Sequence, residues 1–395
     1  MRFCYLFLLL AIGCKVAQPT STTPAVEQAL PVTDTTITEK EIIPIYVTQK
    51  GDTLHTLDST VQVELTRVTY DTLTLSAVGD IMMGTNFPKS YYLPTDSGNQ
   101  LWEQVRSTLT STDLTFGNLE GVILTTGGEQ KECKNPKACY LFRTPDHLSF
   151  QFVKSGFDLL SLANNHANDF GATGRSNTQK VLDSLGISHA GSMEHPYSII
   201  RKKELTIGFV AFAPNKGTLL IHNEQRAIDI IQLLDSLTDM VIVSFHAGAE
   251  GSKNQHVTRK REFYYGEDRG NVYQFAHLLI DQGADLILGH GPHVVRGIEV
   301  YKERLIAYSL GNFLTYGRFN LQGPNAYAPI LEVNLLPDGE FISGQIHSFI
   351  QDYKLGPIFD PRSRAGLKIK ALTEIDFPEN PISIDDSGRI IYLQH

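Results

Sequence analysis

Short apolar runs alternate with segments of helical period along most of the chain, beginning near residue 73. Runs bounded by turn residues predict buried strands over 73–78, 114–119, 157–163, 205–213, 240–245, 284–288, 305–310 and 330–336, with a further strand-like run over 341–350. Apolar residues three and four positions apart predict helices near 101–109, 145–155, 176–185, 226–237 and 272–282.

Strands that alternate with helices predict an α/β fold whose sheet strands are largely buried. No long linker interrupts the pattern after residue 70, so we predict one domain over 71–395. From Pro337 onward there is no clear helical pattern, and we therefore expect the sheet to end in antiparallel strands.

The first residues have the layout of a secretion signal, with a positive charge at Arg2, a short apolar core and small residues before Cys14. The apolar stretch is shorter than the roughly 20 residues of a membrane span, which predicts a signal peptide over 1–13. The segment Ala11-Ile12-Gly13-Cys14 is similar to a bacterial lipobox, which implies lipid attachment to Cys14. The alternative is an ordinary cleaved signal followed by a cysteine. We expect an exported cell-envelope lipoprotein that its lipid anchors to a membrane.

Residues 14–70 are predicted to be a tether with a short extended segment. The region up to about Pro44 is rich in Thr and Pro and cannot bury enough apolar surface to fold. Residues 46–54 are similar to the opening of a LysM peptidoglycan-binding module, but no further LysM features follow, and we interpret them as a short hairpin.

Cys133 and Cys139 lie close together in a polar loop. An oxidising compartment favours a disulfide between them. A zinc site is the alternative, although no second pair of ligands accompanies the two cysteines.

A net charge of -9, with no cluster of Lys and Arg among aromatic residues, argues against a nucleic-acid partner. The hydrophobic content of 42% and the charged content of 19% are those of an ordinary globular protein. An anionic substrate would therefore need local compensation, by a metal ion or by arginine.

Polar side chains that suit metal chemistry follow directly after the predicted strands, which is where open α/β sheets bind ligands. By itself, Asp80 is equally a metal ligand or a turn-capping residue. The residues at these strand ends are Asp80, Asn118, Glu120, Asn164, Asn165, His166, Asp169, His246, Glu250, His290 and His293. Such a mixed set of oxygen and nitrogen donors predicts a site for one or two divalent ions of Mn, Fe or Zn. Arg143 and Arg296 either clamp an anion near this site or form surface ion pairs.

Six segments follow one another in a characteristic order: 78–80, 118–120, 164–171, 246–250, 289–293 and 306–313. In that order they resemble the motif series of the CapA family of capsule or poly-γ-glutamate biosynthesis proteins, over about residues 73–320. That family is similar to calcineurin-like metallophosphoesterases. The resemblance implies a four-layer α/β/β/α sandwich.

The same resemblance implies roles for individual residues. The implied metal ligands are Asp80, Glu120, Asn165, His246, His290 and His293. His166 resembles a general acid, and we place Asp169 with it as catalytic. The residues placed at the substrate are Asn118, Arg143, Asn164, Glu250, Arg296 and Asn312.

The chain departs from the phosphoesterase pattern in two motifs. Asp80-Ile81-Met82 stands where that superfamily has Asp-x-His, and a thioether is a poor ligand for a hard cation. Gly117-Asn118-Leu119-Glu120 stands where it has Gly-Asp-x-x-Asp. We therefore expect a single metal, or a pair held differently by Glu120 and Glu250.

These features favour a metal-dependent hydrolase or transferase that acts on a phosphate ester or a γ-glutamyl polymer of the capsule or envelope. The alternative is a non-catalytic capsule assembly factor that holds an anionic polymer in the same pocket. A peptidoglycan-binding lipoprotein is a third hypothesis, which depends on the LysM-like segment alone. The sequence does not indicate the oligomeric state.

Overall fold

The computed structural model describes residues 72–132 and 140–393. The predicted signal peptide, Cys14, the tether and the Cys133–Cys139 pair lie outside these residues. Within the two described ranges, no helix has the length and apolar character needed to cross a membrane.

The strands are short, and most are buried on both faces. In chain order they are β1 (Leu73–Met82), β2 (Leu114–Leu119), β3 (Val122–Ile123), β4 (Arg143–Thr144), β5 (Leu159–Ser161), β6 (Ser188–Ala190), β7 (Tyr197–Lys202), β8 (Leu205–Phe212), β9 (Met240–His246), β10 (Phe263–Tyr264), β11 (Glu267–Asp268), β12 (Leu286–His290), β13 (Ile298–Tyr301), β14 (Arg304–Ala307), β15 (Asn312–Thr315), β16 (Ile330–Leu335), β17 (Phe341–His347), β18 (Phe349–Asp352), β19 (Gly356–Phe359), β20 (Ile382–Ile384) and β21 (Arg389–Tyr392).

The helices are α1 (Arg106–Leu109), α2 (Phe150–Lys154), α3 (Gly171–Ser184), α4 (Glu224–Leu237), α5 (Val272–Asp281) and α6 (Arg364–Asp376). Asparagine side chains cap two of them, because Asn223 and Asn271 accept hydrogen bonds from backbone N–H groups in the first turns of α4 and α5.

Two sheets form the centre of the molecule. The first has the order β20-β21-β17-β16-β1-β2-β5-β6, and β15 also pairs with β1. Its strands β1, β2, β5 and β6 are parallel, whereas β16, β17, β21 and β20 are antiparallel additions at the other edge. The second has the order β13-β14-β12-β9-β8-β7, with β14, β12, β9 and β8 parallel.

The two sheets pack face to face, with helices on their outer faces. Between them, Phe116 of the first sheet lies edge-on to Phe209 of the second, with ring centroids 5.6 Å apart. Full burial of such a side chain stabilises the fold by roughly 1.5 to 3 kcal/mol. Ile231 of α4 packs on the outer face of the second sheet, and Leu182 of α3 packs on that of the first. These layers confirm the predicted α/β/β/α sandwich.

The predicted strands are confirmed in position, but two predicted helices are replaced by shorter elements. The segment 101–109 contains the end of the 3-10 helix Asp96–Trp102 and then α1, and 145–155 contains the 3-10 helix Asp146–Ser149 and α2. The antiparallel end of the sheet is also confirmed.

The sequence pattern after Pro337 did not predict α6, which lies there. Ala365, Ile369 and Leu372 recur at helical spacing and are buried at one end of the sandwich. Charged residues surround these few apolar positions, which conceals the helical period in the sequence.

Asp285, just before β12, gives a prediction about stability. Its carboxylate accepts hydrogen bonds from Val241 N–H (2.8 Å) and Arg304 Nε–H (2.9 Å). Burial nevertheless raises the pKa of Asp285 from 3.8 to about 6. The folded state therefore holds this proton more tightly than the unfolded state does. The stability that this group contributes is complete below about pH 4 and is lost as the pH rises through 6.

Asp285→Asn removes that titration. From pH 4 to pH 7 we expect the unfolding free energy of the wild type to fall relative to that of the variant by roughly 2 to 3 kcal/mol. Urea unfolding followed by circular dichroism at both pH values measures the difference. Asp229→Asn, at an exposed position on α4, is the control. A wild-type minus variant difference that is equal at both pH values would contradict the prediction.

Candidate metal centre

The candidate site lies where the carboxyl ends of parallel strands from both sheets meet. Asp80 in β1 is in register with Asn118 of β2 and with Asn312 of β15. His246 ends β9 and is in register with His290, which ends β12. The strand register therefore delivers these polar side chains to one edge of the sandwich.

Glu120, His246 and His293 form the centre of the site. One ligand atom from each lies within 4.8 Å of the others, so the three can hold one metal ion. Glu120 and His246 are fully buried, and His293 is partly buried. The backbone N–H of Glu120 donates to Ile81 O at 2.9 Å, which fixes the backbone of Glu120 after the end of β2 and beside β1.

Several ligand atoms here are buried without a hydrogen-bond partner. They are both carboxylate oxygens of Glu120 and Nε2 of His246; Oδ1 of Asn165, in the loop after β5, is likewise buried without a partner. A buried polar atom without a partner costs roughly 1 to 3 kcal/mol, and native proteins seldom leave several in one place. Carboxylate, imidazole and amide oxygen are all metal donors, so the unsatisfied atoms fit a divalent cation.

Asp80 is held by its neighbours. Its Oδ1 accepts a hydrogen bond from Asn118 Nδ2 at 2.8 Å, and its Oδ2 lies 2.9 Å from His293 Nδ1. Burial would raise the pKa of Asp80, but the hydrogen bond and the charge of His293 lower it to about 2. The residue is thus kept as a carboxylate, which is its ligand form.

A chain of amides joins Asp80 to the loop after β5. The Oδ1 of Asn118 accepts a hydrogen bond from Asn164 Nδ2 at 3.3 Å, and that amide also donates to Leu119 O at 2.8 Å. Asn164 Oδ1 accepts from the backbone N–H of His166 at 3.1 Å. Asn118 and Asn164 therefore position other site residues through hydrogen bonds.

His293 occupies a conformation that is uncommon for a residue with a side chain, with φ at 57°. Its Nδ1 lies 3.1 Å from Asn312 Oδ1, and its Nε2 lies 3.5 Å from Glu120 Oε1. Burial would lower the pKa of His293, but the charges of Glu120 and Asp80 raise it to about 10. In this arrangement a charged imidazole lies between Asp80 and Glu120, and the ring becomes a metal ligand only by giving up that proton to an incoming cation.

The pKa values of the other two centre residues, Glu120 and His246, are shifted in opposite directions. Burial, together with the nearby carboxylates of Asp80 and Glu250, raises the pKa of Glu120 well above its usual value. Burial lowers the pKa of His246 well below its usual value, which keeps its imidazole neutral and able to coordinate a cation.

His166 and Asp169 form a hydrogen-bonded pair beside the centre. His166 Nδ1 lies 2.7 Å from Asp169 Oδ2, which also accepts from Phe142 N–H at 2.8 Å. His166 Nε2 points toward the centre and lies 3.8 Å from Glu120 Oε1. The aspartate therefore fixes the ring so that Nε2 is the nitrogen presented to a reacting group.

His290 is not brought into this group. Its Nε2 lies 3.0 Å from Val78 O and its Nδ1 lies 3.4 Å from Ser244 Oγ, so both nitrogens face backbone or hydroxyl partners. Burial lowers the pKa of His290, consistent with a neutral ring that donates to Val78. In this structure it joins β12 to β1 behind the centre.

The two predicted arginines are held by other residues. Arg296 is buried and donates two hydrogen bonds to Glu262, at 2.9 and 2.7 Å. Arg143 donates to Asn86 Oδ1 at 2.7 Å and to Gly127 O at 2.9 Å, and its guanidinium lies over the Phe170 ring. Both stabilise loops around the site, and neither forms a hydrogen bond or an ion pair with Glu120, His246 or His293.

Glu250 lies at the margin of the centre. Its Oε2 is 3.9 Å from His293 Nε2, and its Oε1 forms an ion pair with buried Arg269 at 3.0 Å. Met82 stands where the phosphoesterase motif Asp-x-His has its histidine. Its side chain is buried, and its sulfur accepts a hydrogen bond from Gly84 N–H at 3.3 Å.

Sequence reasoning missed the aromatic wall of the site. The Phe142 ring lies 4.3 Å from that of His166, and Phe319 stacks on Phe142 with centroids 5.0 Å apart. Phe319 also lies edge-on to His293 at 5.7 Å. The only signal was the position of Phe142 next to Arg143, because Phe319 lies outside every motif.

Comparison with known proteins identifies relatives of this chain. Capsule biosynthesis protein CapA of Bacillus anthracis is 28% identical over 264 residues, which cover 61% of this chain and 59% of that protein. PGA biosynthesis protein CapA of Bacillus subtilis (strain 168) is 29% identical over 260 residues, with 62% and 63% covered. The chain thus spans less than two thirds of the length of either relative.

Among solved structures, the calcineurin-like phosphoesterase YfkN from Bacillus subtilis is similar with a TM-score of 0.42 and 15% identity, over 71% of this chain and 91% of that one. The family model of the bacterial capsule synthesis protein PGA_cap matches residues 74–316. This match covers more than half of the sequence and confirms the resemblance seen in the motifs, so the chain belongs to the PGA_cap family of bacterial capsule synthesis proteins.

Proposed function

We propose that this protein is a metal-dependent hydrolase or transferase of capsule or poly-γ-glutamate synthesis, acting on a phosphate ester or a γ-glutamyl polymer. The observation that carries the proposal is the set of buried, unpartnered donor atoms on Glu120, His246 and Asn165. We further propose that it is an exported lipoprotein attached to the membrane through Cys14, as the sequence predicts.

Different residues of the centre would bind the cation and transfer protons. Glu120, His246 and His293 would hold the cation, with Asp80 beside His293 and with Asn165, in the loop after β5, as a further candidate ligand. A divalent cation bound there supplies Lewis acidity, which serves a phosphoryl and an acyl centre alike.

His166 is placed to move a proton. Its Nε2 faces the centre, and Asp169 keeps the proton on Nδ1 in the neutral ring and stabilises the charged ring. In the protonated state, Nε2–H would donate to the leaving-group oxygen or nitrogen of a substrate bound at the centre beside His166. The stacked rings of Phe142 and Phe319 cover this side and limit the access of water.

A second candidate function is non-catalytic capture of an anionic polymer in the same pocket. The observation that favours it is Met82, whose buried thioether is a poor ligand for a hard cation and accepts a hydrogen bond from Gly84 N–H. A centre with fewer donors can still bind a polymer while lacking turnover.

The two functions are separated by an assay on the full chain in detergent, stripped of metal and then supplied with Mn²⁺, Fe²⁺ or Zn²⁺. We expect cation-dependent turnover of bis(p-nitrophenyl) phosphate or of poly-γ-glutamate, lost in Glu120→Gln. Glu224→Gln, at an exposed position on α4, is the matched control and should retain activity. Polymer binding without turnover would instead support the second function, and neither binding nor turnover would contradict both.

A further inference from the structure

Arg318 lies beside the aromatic wall of the candidate centre and has an unusual environment. Its guanidinium carbon is 5.1 Å from the centre of the Tyr92 ring and 4.8 Å from that of Tyr140. At such distances the ring faces attract the cation and hold its position. The side chain is partly exposed, so the guanidinium remains open to solvent.

The guanidinium has no acidic partner in the part of the chain that the structure describes. No carboxylate oxygen of those residues lies within 4.0 Å of it, and its nitrogens donate no hydrogen bond to them. By contrast, Arg296 and Arg143 near the same site are engaged by Glu262 and Asn86. Within the described residues, the five N–H donors of Arg318 thus make no hydrogen bond, while the two aromatic rings hold the guanidinium in place.

The position of Arg318 connects it to the centre. It precedes Phe319, whose ring contacts Phe142 and His293. The loop is anchored by Tyr316 N–H, which donates to Met82 O at 2.9 Å at the end of β1. A substrate that reaches the centre along this wall would pass the guanidinium.

We propose that Tyr92, Tyr140 and Arg318 form an anion-binding subsite that holds a carboxylate or phosphate of a polyanionic substrate next to the candidate centre. The planar guanidinium matches either group through two parallel hydrogen bonds. Exposed Lys89, which lies close enough to Tyr92 to influence its pKa, adds positive charge on the same side. The proposal rests on the proposed function for the identity of the site but requires no catalysis.

Equilibrium binding to the full chain in detergent tests the subsite without a reaction. The probes are a fluorescent poly-γ-glutamate oligomer and a fluorescent polyphosphate of equal charge, followed by anisotropy. We expect Arg318→Gln to weaken binding of at least one probe about tenfold or more, as for the loss of a charge-assisted hydrogen-bonded pair. Arg318→Lys keeps the charge without the paired geometry and should give an intermediate loss. The probe that loses affinity distinguishes carboxylate from phosphate.

Arg201→Gln is the matched control. Arg201 is exposed and pairs with Thr206 at the start of β8, at the opposite end of the second sheet from the centre. Equal losses in both variants would show diffuse attraction only and overturn the subsite, as would unchanged binding in Arg318→Gln or no binding of either probe to the wild type. Turnover measured in parallel separates the two proposals, because the subsite stands if binding depends on Arg318 while turnover is absent.

Discussion

His246→Ala is expected to weaken the binding of Mn²⁺ or Zn²⁺ by about 100-fold or more. The Nε2 atom of His246 is buried without a hydrogen-bond partner, and burial keeps the ring neutral, which is the ligand form. Loss of residues that merely support metal ligands costs about 10- to 100-fold, so loss of a ligand itself should cost at least as much. Isothermal titration of the metal-free full chain, with metal content by mass spectrometry, measures the effect.

His290→Ala is the matched control for this prediction. His290 is equally buried and neighbours His246 in register, yet its ring nitrogens face Val78 and Ser244. We expect it to lose stability, because Val78 O and Ser244 Oγ each lose a partner, while the folded fraction still binds the cation. Circular dichroism establishes that both variants are folded. Folded His246→Ala with wild-type affinity would remove the basis of the metal centre.

The strands and the strand-end positions of the site could be predicted because they depend on local sequence. Long apolar runs identify β1, β2, β9 and β12, and the residues that follow parallel strands must meet at one edge. Asp80, Glu120, His246 and His293 are brought together for this reason.

The precise roles within the site depend on contacts between distant residues. Both His290 and His293 belong to one short motif, but β12 packs beside β1 so that His290 reaches Val78 O, whereas the positive φ of His293 turns its ring to Asp80. Likewise, the guanidinium of Arg296 donates two hydrogen bonds to Glu262, 34 positions away in sequence. Spacing within a motif contains no information about such partners.

His166→Asn is expected to lower turnover by roughly 10²- to 10⁴-fold, the usual contribution of a general acid or base, while cation binding remains close to that of the wild type. The asparagine side chain is of similar size but cannot transfer a proton at pH 7. Asp169→Asn should also lower turnover, because it removes the charge that orients and stabilises the ring of His166. Both rates are measured with the substrate that the wild type turns over, at saturating metal.

The dependence on leaving group separates proton transfer from a structural role. A p-nitrophenolate group departs without a proton, whereas an alkoxide or an amine requires one. His166→Asn should therefore lose far more activity on an alkyl ester or γ-glutamyl amide than on a p-nitrophenyl ester. Equal losses on both would mean that His166, which lies 3.8 Å from Glu120, acts by shaping the centre instead. A proton donor beside buried Glu120 is the feature that would let this centre cleave unactivated polymer bonds.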